Sequence, residues 1–259
     1  GANPVKVPLR IRVNGFAVSK KPAIPIAVAF NPGCRQRTIG EEAGKIRSDP
    51  ASPMNLWKKH RSEWTDHLAD HFIPLFDLYS RSSSAYSADY FRELDRLSSQ
   101  GRLGFINLGY WSYPNGLSEK DLAEWRKCTI PRLKEVYEKL KERGWQNRAC
   151  LYGCDEIKPA WFEHVKVAIS ELKREFPEVP LFTTAYDQNY GMDGGLEGID
   201  WFTPLTERYD SQKADMARRR GKKVWWYIAL SPIAPYANMF VECPAIEGRL
   251  LMGAQAVKY

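Results

Sequence analysis

The sequence predicts an α/β fold built on a parallel sheet, in the size and alternation of a (β/α)8 TIM-type barrel. Three observations carry that expectation. The chain has 259 residues, about the length of one barrel domain. Apolar strand-like runs alternate with amphipathic helical patterns seven times, and strand–helix alternation at this spacing calls for a parallel sheet. The most pronounced run, Arg148 to Cys154, ends abruptly in two adjacent carboxylates, Asp155 and Glu156, and a helical segment to about Phe176 follows. A buried strand with ionisable groups at its carboxyl end is how parallel α/β enzymes present reactive side chains. A surface turn in which Asp155 caps the next helix is the plainer alternative.

The elements follow in order. Residues 5–18 alternate apolar and polar side chains up to the Asn14-Gly15 turn signal, as a half-exposed strand does. We assign residues 1–20 to a β lead-in from an upstream β domain and 21–259 to the barrel domain. Ile24 to Phe30 is the first continuous strand, and residues 31–54, rich in Gly, Pro, Arg and Ser, form a long loop. Leu56 to Asp70 places Trp57, Trp64 and Leu68 at helical spacing, expected in the core. Phe72 to Phe76 is the second strand, followed by Asp77; Ser82 to Ser84 mark a loop, and Tyr90 to Leu97 show a helical face.

Leu103 to Leu108 is the third strand, and Tyr110 and Trp111 stand where a barrel puts its substrate loops. The helix from Ser118 to Arg143 opens on the capping pattern Ser118-Glu119-Lys120-Asp121 and stops at Gly144. After the fourth strand and its helix, Pro177 and Pro180 bracket the turn into Leu181 to Asp187. Residues 188–198 are glycine-rich and lack an amphipathic period. Ile199 to Leu205 is the sixth strand, with Thr206-Glu207-Arg208 at its end, and Val224 to Ala229 the seventh. A proline-rich loop precedes a last helix, Ala245 to about Tyr259. Closure of a ring needs an eighth strand, expected where Tyr259 ends the sequence.

Composition narrows the function classes. Aromatic residues reach 13%, with nine Trp, a content that suits a cleft for sugar faces or apolar ligands as well as a large core. The net charge is +7, but the basic residues are scattered apart from Arg218-Arg219-Arg220 with Lys222-Lys223. That run reads as a solvated helix end, which argues against nucleic acid as a partner. Five cysteines, Cys34, Cys128, Cys150, Cys154 and Cys243, contain no CxxC pair and give no zinc pattern. His67 and His71 are four apart without the glutamate of a metalloprotease motif, so no metal is expected there. No cofactor motif is present, and no apolar run has membrane-spanning length.

Two stretches carry a family resemblance. One is the Asp155-Glu156 pair after its hydrophobic strand. The other runs from Val224-Trp-Trp-Tyr-Ile-Ala-Leu-Ser-Pro through Tyr236 and Asn238 to Pro244-Ala-Ile-Glu-Gly-Arg249 and Gln255. With them the chain resembles the catalytic domain of glycoside hydrolase family 123 and its uncharacterised relatives, from about residue 24 onward. Ile157 stands where that family commonly has Pro, and Gly248 and Met252-Gly253 stand where bulkier residues are expected. The resemblance implies a (β/α)8 barrel that hydrolyses β-linked 2-acetamido sugars, N-acetylgalactosaminides among them, by a retaining, substrate-assisted mechanism. It implies a glycan partner, no cofactor, no membrane insertion, and action on extracellular glycans. Glu156 would be the general acid and base, and Asp155 would hold the acetamido N–H. Substrate contacts would fall to Tyr110, Trp111, Tyr186, Asp187, Glu207, Trp225, Tyr227, Tyr236 and Asn238.

Two other readings stay open. A glycosidase acting on sugars without the acetamido group would need a separate nucleophile, for which Glu207, Asp187 and Asp77 are candidates. A catalytically silent carbohydrate-binding barrel would need none. Adjacent strand residues point to opposite faces, so Asp155 and Glu156 can share a site only if the strand ends or bulges there; Gly153 and Lys158-Pro159 favour such a break.

Overall fold

The computed structural model describes residues 8–13, 15, 26–28, 51, 59–71, 73, 78–79, 88–239 and 243–256. Among these residues the helices are α1 (Arg61–Asp70), α2 (Ala88–Ser99), α3 (Glu119–Lys141), α4 (Phe162–Glu175), α5 (Ser211–Arg219) and α6 (Ala245–Leu250). The strands are β1 (Ile106–Asn107), β2 (Ala149–Tyr152), β3 (Leu181–Thr183), β4 (Trp201–Phe202) and β5 (Lys223–Val224). They form one five-stranded sheet in the order β1-β2-β3-β4-β5, every pair parallel. The fold is therefore mixed α/β with a parallel sheet, as the alternation predicts.

A closed eight-stranded ring is not seen among the described residues. The strand expected at 24–30 is described only at 26–28 and that at 72–76 only at Ile73, with no pairing at either; the rest of both lies outside the described residues. So do Asp77, the loop at 82–84, Trp57, nearly all of 31–54, and residues 257–259. Of the alternating lead-in, residues 8–13 carry no strand pairing, and Leu9, Ile11 and Val13 are all exposed. Nor does every pair of successive strands have a helix between them: β3 and β4 are joined by the turns of 188–198.

The strands are shorter than their apolar runs because each chain leaves the pleat soon after its ladder begins. Gly109 at φ 143° ends β1, Cys154 at φ 52° ends β2, and Pro204, which has no N–H to donate, ends β4. Pairing resumes briefly at the bridges Trp111–Gly153 and Leu205–Tyr227.

Side-chain alternation splits the core into two layers. Ile106, Ala149, Leu151, Leu181, Phe202 and Val224 face the helices and pack with Leu94 of α2, Leu133 of α3, Leu172 of α4 and Ala214 of α5. Each fully buried side chain of this size contributes about 1.5–3 kcal/mol, so this layer dominates stability. Cys150, Tyr152, Phe182 and Trp201 face the other way, with Tyr110, and Ala27, Leu78, Phe105 and Trp225 pack against them. That second layer is aromatic, and Trp201 and Trp225 stack at 5.6 Å.

Local signals set the helix ends. Ser118 Oγ accepts from the Asp121 N–H at 3.2 Å and starts α3 as the capping pattern predicts. Gly144 at φ +70° closes it, with the Trp145 N–H donating to Leu140 at 2.9 Å. The arginine-lysine run at the end of α5 is more engaged than a solvated helix end. Arg218 donates to the Val224 carbonyl at 2.9 Å, and Lys222 donates to that of Ile199 at 2.7 Å. α1 departs from expectation: Trp64 is 43% exposed, not core, and the one buried residue is Thr65. α1 docks on α2 through polar groups instead, with Thr65 donating to Glu93 at 2.8 Å and Arg96 to Asp66 at 2.6 Å. The last helix is regular only through Leu250 and continues as a π-helical turn, Leu251–Gln255.

Candidate active site

The site is built on the turn that ends β2. The Gly153 N–H donates to the Phe182 carbonyl at 3.1 Å and the Cys154 N–H to that of Trp111 at 3.1 Å, so the turn is stitched to both neighbouring strands. A Cβ on Gly153 would lie 2.2 Å from the Trp111 carbonyl oxygen, so only glycine fits. Cys154 and Glu156 both take the left-handed conformation, each at φ 52°. For such residues this costs on the order of 1–3 kcal/mol, a cost the packed surroundings must offset. The gain is directional. Two left-handed residues break the strand's alternation, and Asp155 and Glu156 enter the same cluster of hydroxyl groups.

Asp155 is half-buried and clasped. Its Oδ1 accepts from the Tyr152 hydroxyl at 2.8 Å and the Thr184 hydroxyl at 2.6 Å, and its Oδ2 accepts from the Tyr79 hydroxyl at 3.2 Å. Its backbone N–H donates to the Tyr110 hydroxyl oxygen at 3.1 Å. Burial, followed by the Asp155 charge, pushes the Tyr152 phenol far above its ordinary range, so it stays a donor. Below it, Asn107 Oδ1 accepts from the Tyr152 N–H at 2.9 Å, while its amide donates to the Leu78 carbonyl at 3.1 Å. That contact holds the segment carrying Tyr79 against the sheet.

Glu156 is exposed, and tyrosines hold its side chain. The Tyr227 hydroxyl, past the end of β5, donates to Glu156 Oε1 at 2.5 Å. Tyr186, past β3, stands beside Glu156, whose charge acts on its phenol. Burial comes first, then the Glu156 contact, in raising both phenols. The Glu156 N–H donates to Thr184 Oγ1 at 3.2 Å, so one threonine touches both acidic residues.

Two open clefts lie beside this cluster. One, of about 560 Å³, is lined by Glu207, Arg208, Lys213 and Tyr236 among others. The second, of about 610 Å³, is lined by Lys158, Phe162, Tyr186, Asp187 and Asn189 among others. Neither includes the carboxylates, which stand next to the second through Tyr186. Arg208 belongs to both and places its guanidinium 4.6 Å over the Tyr186 ring.

The expected site residues divide accordingly. Asp155, Glu156, Tyr110, Tyr186 and Tyr227 come together in the hydroxyl cluster. Trp225 stacks on Trp201 in the inner layer, and Glu207 and the 47% exposed Tyr236 line the first cleft. Trp111 does not face a cleft. It is fully buried, and its indole N–H donates to the Leu151 carbonyl at 3.0 Å. Asn238 is likewise fully buried, its amide donating to the carbonyls of Ala229 at 3.0 Å and Pro232 at 2.9 Å. Asp187 borders the second cleft, but its oxygens accept the N–H groups of Asn189, Gly191 and Leu196 at 3.0, 2.9 and 2.7 Å. It organises the glycine-rich loop, and a Cβ on Gly195 would lie 2.4 Å from it.

Sequence reasoning missed Tyr152, Thr184, Asn107 and Tyr79. Tyr152 is two residues after Cys150 and Thr184 two after Phe182, so strand alternation could have placed both on the inner face beside Asp155. Nothing local marks Tyr79. Cys150 and Cys154 are both free and buried, and burial raises both thiols. The His67 and His71 rings lie 4.5 Å apart on exposed surface, and His71 Nδ1 bonds the His67 carbonyl at 2.7 Å.

The family model of the glycoside hydrolase 123 catalytic domain matches residues 115–259, more than half of the chain. It spans β2 to β5 with Asp155, Glu156, Thr184, Tyr186 and Tyr227; β1, Tyr79 and Tyr110 lie before it. No curated protein matches the chain. No described helix is long and apolar enough to cross a membrane.

Proposed function

The chain belongs to the glycoside hydrolase 123 family by its catalytic domain, and from that premise we propose a retaining hydrolase of β-linked 2-acetamido sugars. The membership makes it a glycosidase with a glycan substrate. We read the five parallel strands as successive strands of a (β/α)8 barrel, with the site at their carboxyl ends.

The observation that carries the finer reading is the contrast between two adjacent carboxylates in one hydroxyl cluster. Glu156, exposed and held by phenols, donates its proton to the glycosidic oxygen as the bond to the anomeric carbon breaks. The substrate's own acetamido oxygen attacks that carbon from the opposite side and closes an oxazolinium ring. Asp155, fixed by Tyr152 and Thr184, accepts the acetamido N–H and offsets the ring's positive charge. The leaving alcohol departs, and the Glu156 carboxylate takes a proton from the water that reopens the ring. The configuration is retained and Glu156 is again protonated.

The separate-nucleophile reading finds less support. Asp187 is consumed by three backbone N–H groups, Glu207 lies 3.8 Å from Arg208, and Asp77 is outside the described residues. The test is hydrolysis of aryl β-N-acetylgalactosaminide and β-N-acetylglucosaminide by the wild type, Glu156→Gln and Asp155→Asn. Each variant is expected to lose about 10²–10⁴-fold in kcat/KM, and a thiazoline mimic of the oxazoline is expected to inhibit the wild type. A folded wild type that cleaves neither sugar, or cleaves aryl glycosides lacking the acetamido group equally fast, would sink the proposal.

A further inference from the structure

We infer that Trp161, Tyr113 and His164 form an outer sugar-binding subsite, which takes a pyranose ring of the glycan beyond the bond being cleaved. This deepens the glycosidase reading of Asp155 and Glu156 and rests on it. Trp161 follows Glu156 by five residues, at the end of the 3₁₀ turn Pro159–Trp161, with its N–H donating to the Lys158 carbonyl at 3.0 Å. Tyr113 comes from the loop after β1. Both loops leave the carboxyl end of the sheet, the end that carries the two carboxylates.

The platform is built, not incidental. The rings of Tyr113 and Trp161 stack at 5.7 Å with planes 27° apart, and the His164 ring meets Trp161 edge-on at 5.4 Å and Tyr113 at 5.9 Å. The loop beneath is pinned from two sides. The Trp125 indole N–H donates to the Ser112 carbonyl at 2.7 Å, and His164 Nδ1 bonds the Pro114 carbonyl at 3.0 Å. Even with Tyr113 against it, Trp161 keeps 45% of its surface exposed. A large indole left open on a fixed mount is a surface for an apolar face.

His164 narrows the class of ligand. A carbonyl oxygen only accepts, so Nδ1 carries the proton, and in the neutral imidazole Nε2 is the acceptor of a ring that stands edge-on to the indole. An apolar face with a hydrogen-bond acceptor at its edge fits a ring with C–H bonds on its flat side and hydroxyls around its rim. That is a pyranose. Lys158 and Phe162, on either side of Trp161 in the chain, line the second cleft, so the platform adjoins the Tyr186 side of Glu156.

The test uses the Glu156→Gln variant, which binds without turnover. It is titrated calorimetrically with the methyl β-glycoside of a 2-acetamido sugar and with a tetrasaccharide ending in that sugar, in both the galacto and gluco series. The tetrasaccharide is expected to bind about tenfold more tightly than the monosaccharide. Adding Trp161→Ala should abolish that advantage, and Trp161→Phe should keep most of it; the alanine gives up the ring contacts to Tyr113 and His164 and unfolds at a somewhat lower temperature, with both variants still folded at the temperature of the titration. A tetrasaccharide with no advantage, or one that survives Trp161→Ala, overturns the inference. Failure of the reaction reads differently: wild type would leave aryl glycosides intact while the tetrasaccharide still bound through Trp161.

Discussion

Asp155 and Glu156 are neighbours in the chain and members of one site, yet their surroundings differ in kind. Asp155 is half-buried among three hydroxyl donors, two of them on the same oxygen, and even its backbone N–H is held. Glu156 is exposed, with phenols on the long loops after β3 and β5 as its side-chain partners. A group that must hold one substrate atom in place gains from a carboxylate that is fixed by its neighbours and keeps acceptor capacity for that atom. A group that moves a proton twice must reach both the leaving oxygen and a water. On the proposed mechanism, burial and attachment thus separate a holding role from a reacting one in two consecutive residues.

The largest break in this comparison comes from the turn that both acids share. Gly153→Ala forces a Cβ to within 2.2 Å of the Trp111 carbonyl oxygen, and backbone on both sides must move. Overpacking of this kind costs about 1–3 kcal/mol or more. Denaturant titration should show that loss, and hydrolysis should fall below detection, because both acids are displaced together. A stable and active Gly153→Ala enzyme would mean that the turn geometry does not set the site.

Thr184→Val sharpens the comparison, since Thr184 touches both acids. The valine keeps the shape but removes a 2.6 Å donor to Asp155 and a 3.2 Å acceptor for the Glu156 N–H. Loss of a hydrogen bond to a charged group costs about 1.5–3 kcal/mol, which as a barrier is about 10–100-fold in kcat. Thr184→Ser should retain most of the activity. If Tyr227→Phe proves more damaging to kcat than Thr184→Val, the held acid matters less to the barrier than the reacting one.

Stability against pH gives a smaller effect with a definite sign. Burial raises the phenols of Tyr152, Tyr227 and Tyr79 above the ordinary value of 10.0. Their contribution is complete below that pH, where both folded and unfolded chains keep the proton. Above it the unfolded chain ionises first, and the contribution is lost as pH rises toward the folded values. Unfolding free energy should therefore fall above about pH 10, and less steeply in Tyr152→Phe than in the wild type. An equal slope in that variant would mean that Tyr152 ionises as freely in the fold as out of it.

Much of this contrast was legible in the chain. The break in alternation was foreseeable from Gly153, and the two acids stand out because a carboxylate pair after an apolar run is chemically conspicuous. The five parallel strands and the cap at Ser118 also follow from local pattern. What was not legible depends on distant partners. The Thr184 hydroxyl bonds a residue 29 positions away and Tyr79 one 76 positions away, and no period in a sequence reports such pairings. Trp111 and Trp64 were misplaced for the same reason. An indole among tyrosines resembles a sugar platform until its N–H is seen donating inside the core, and a helical Trp resembles core until α1 docks by polar contacts.

Glu207 offers the smallest expected effect and the clearest separation of mechanisms. It lines the first cleft and pairs with Arg208 at 3.8 Å, a loose pair of the kind worth about 0–1 kcal/mol at a surface. If the substrate supplies its own nucleophile, Glu207→Gln keeps kcat within about twofold, and any change falls on KM, since the residue borders a cleft. If Glu207 were the nucleophile, the same substitution would remove the covalent step, and azide or formate would restore turnover with an altered product. The result decides the role of Glu207: a normal kcat in Glu207→Gln removes it as nucleophile and, with Asp187 held by three backbone N–H groups, leaves Asp77 as the one separate carboxylate to set against the substrate's acetamido oxygen.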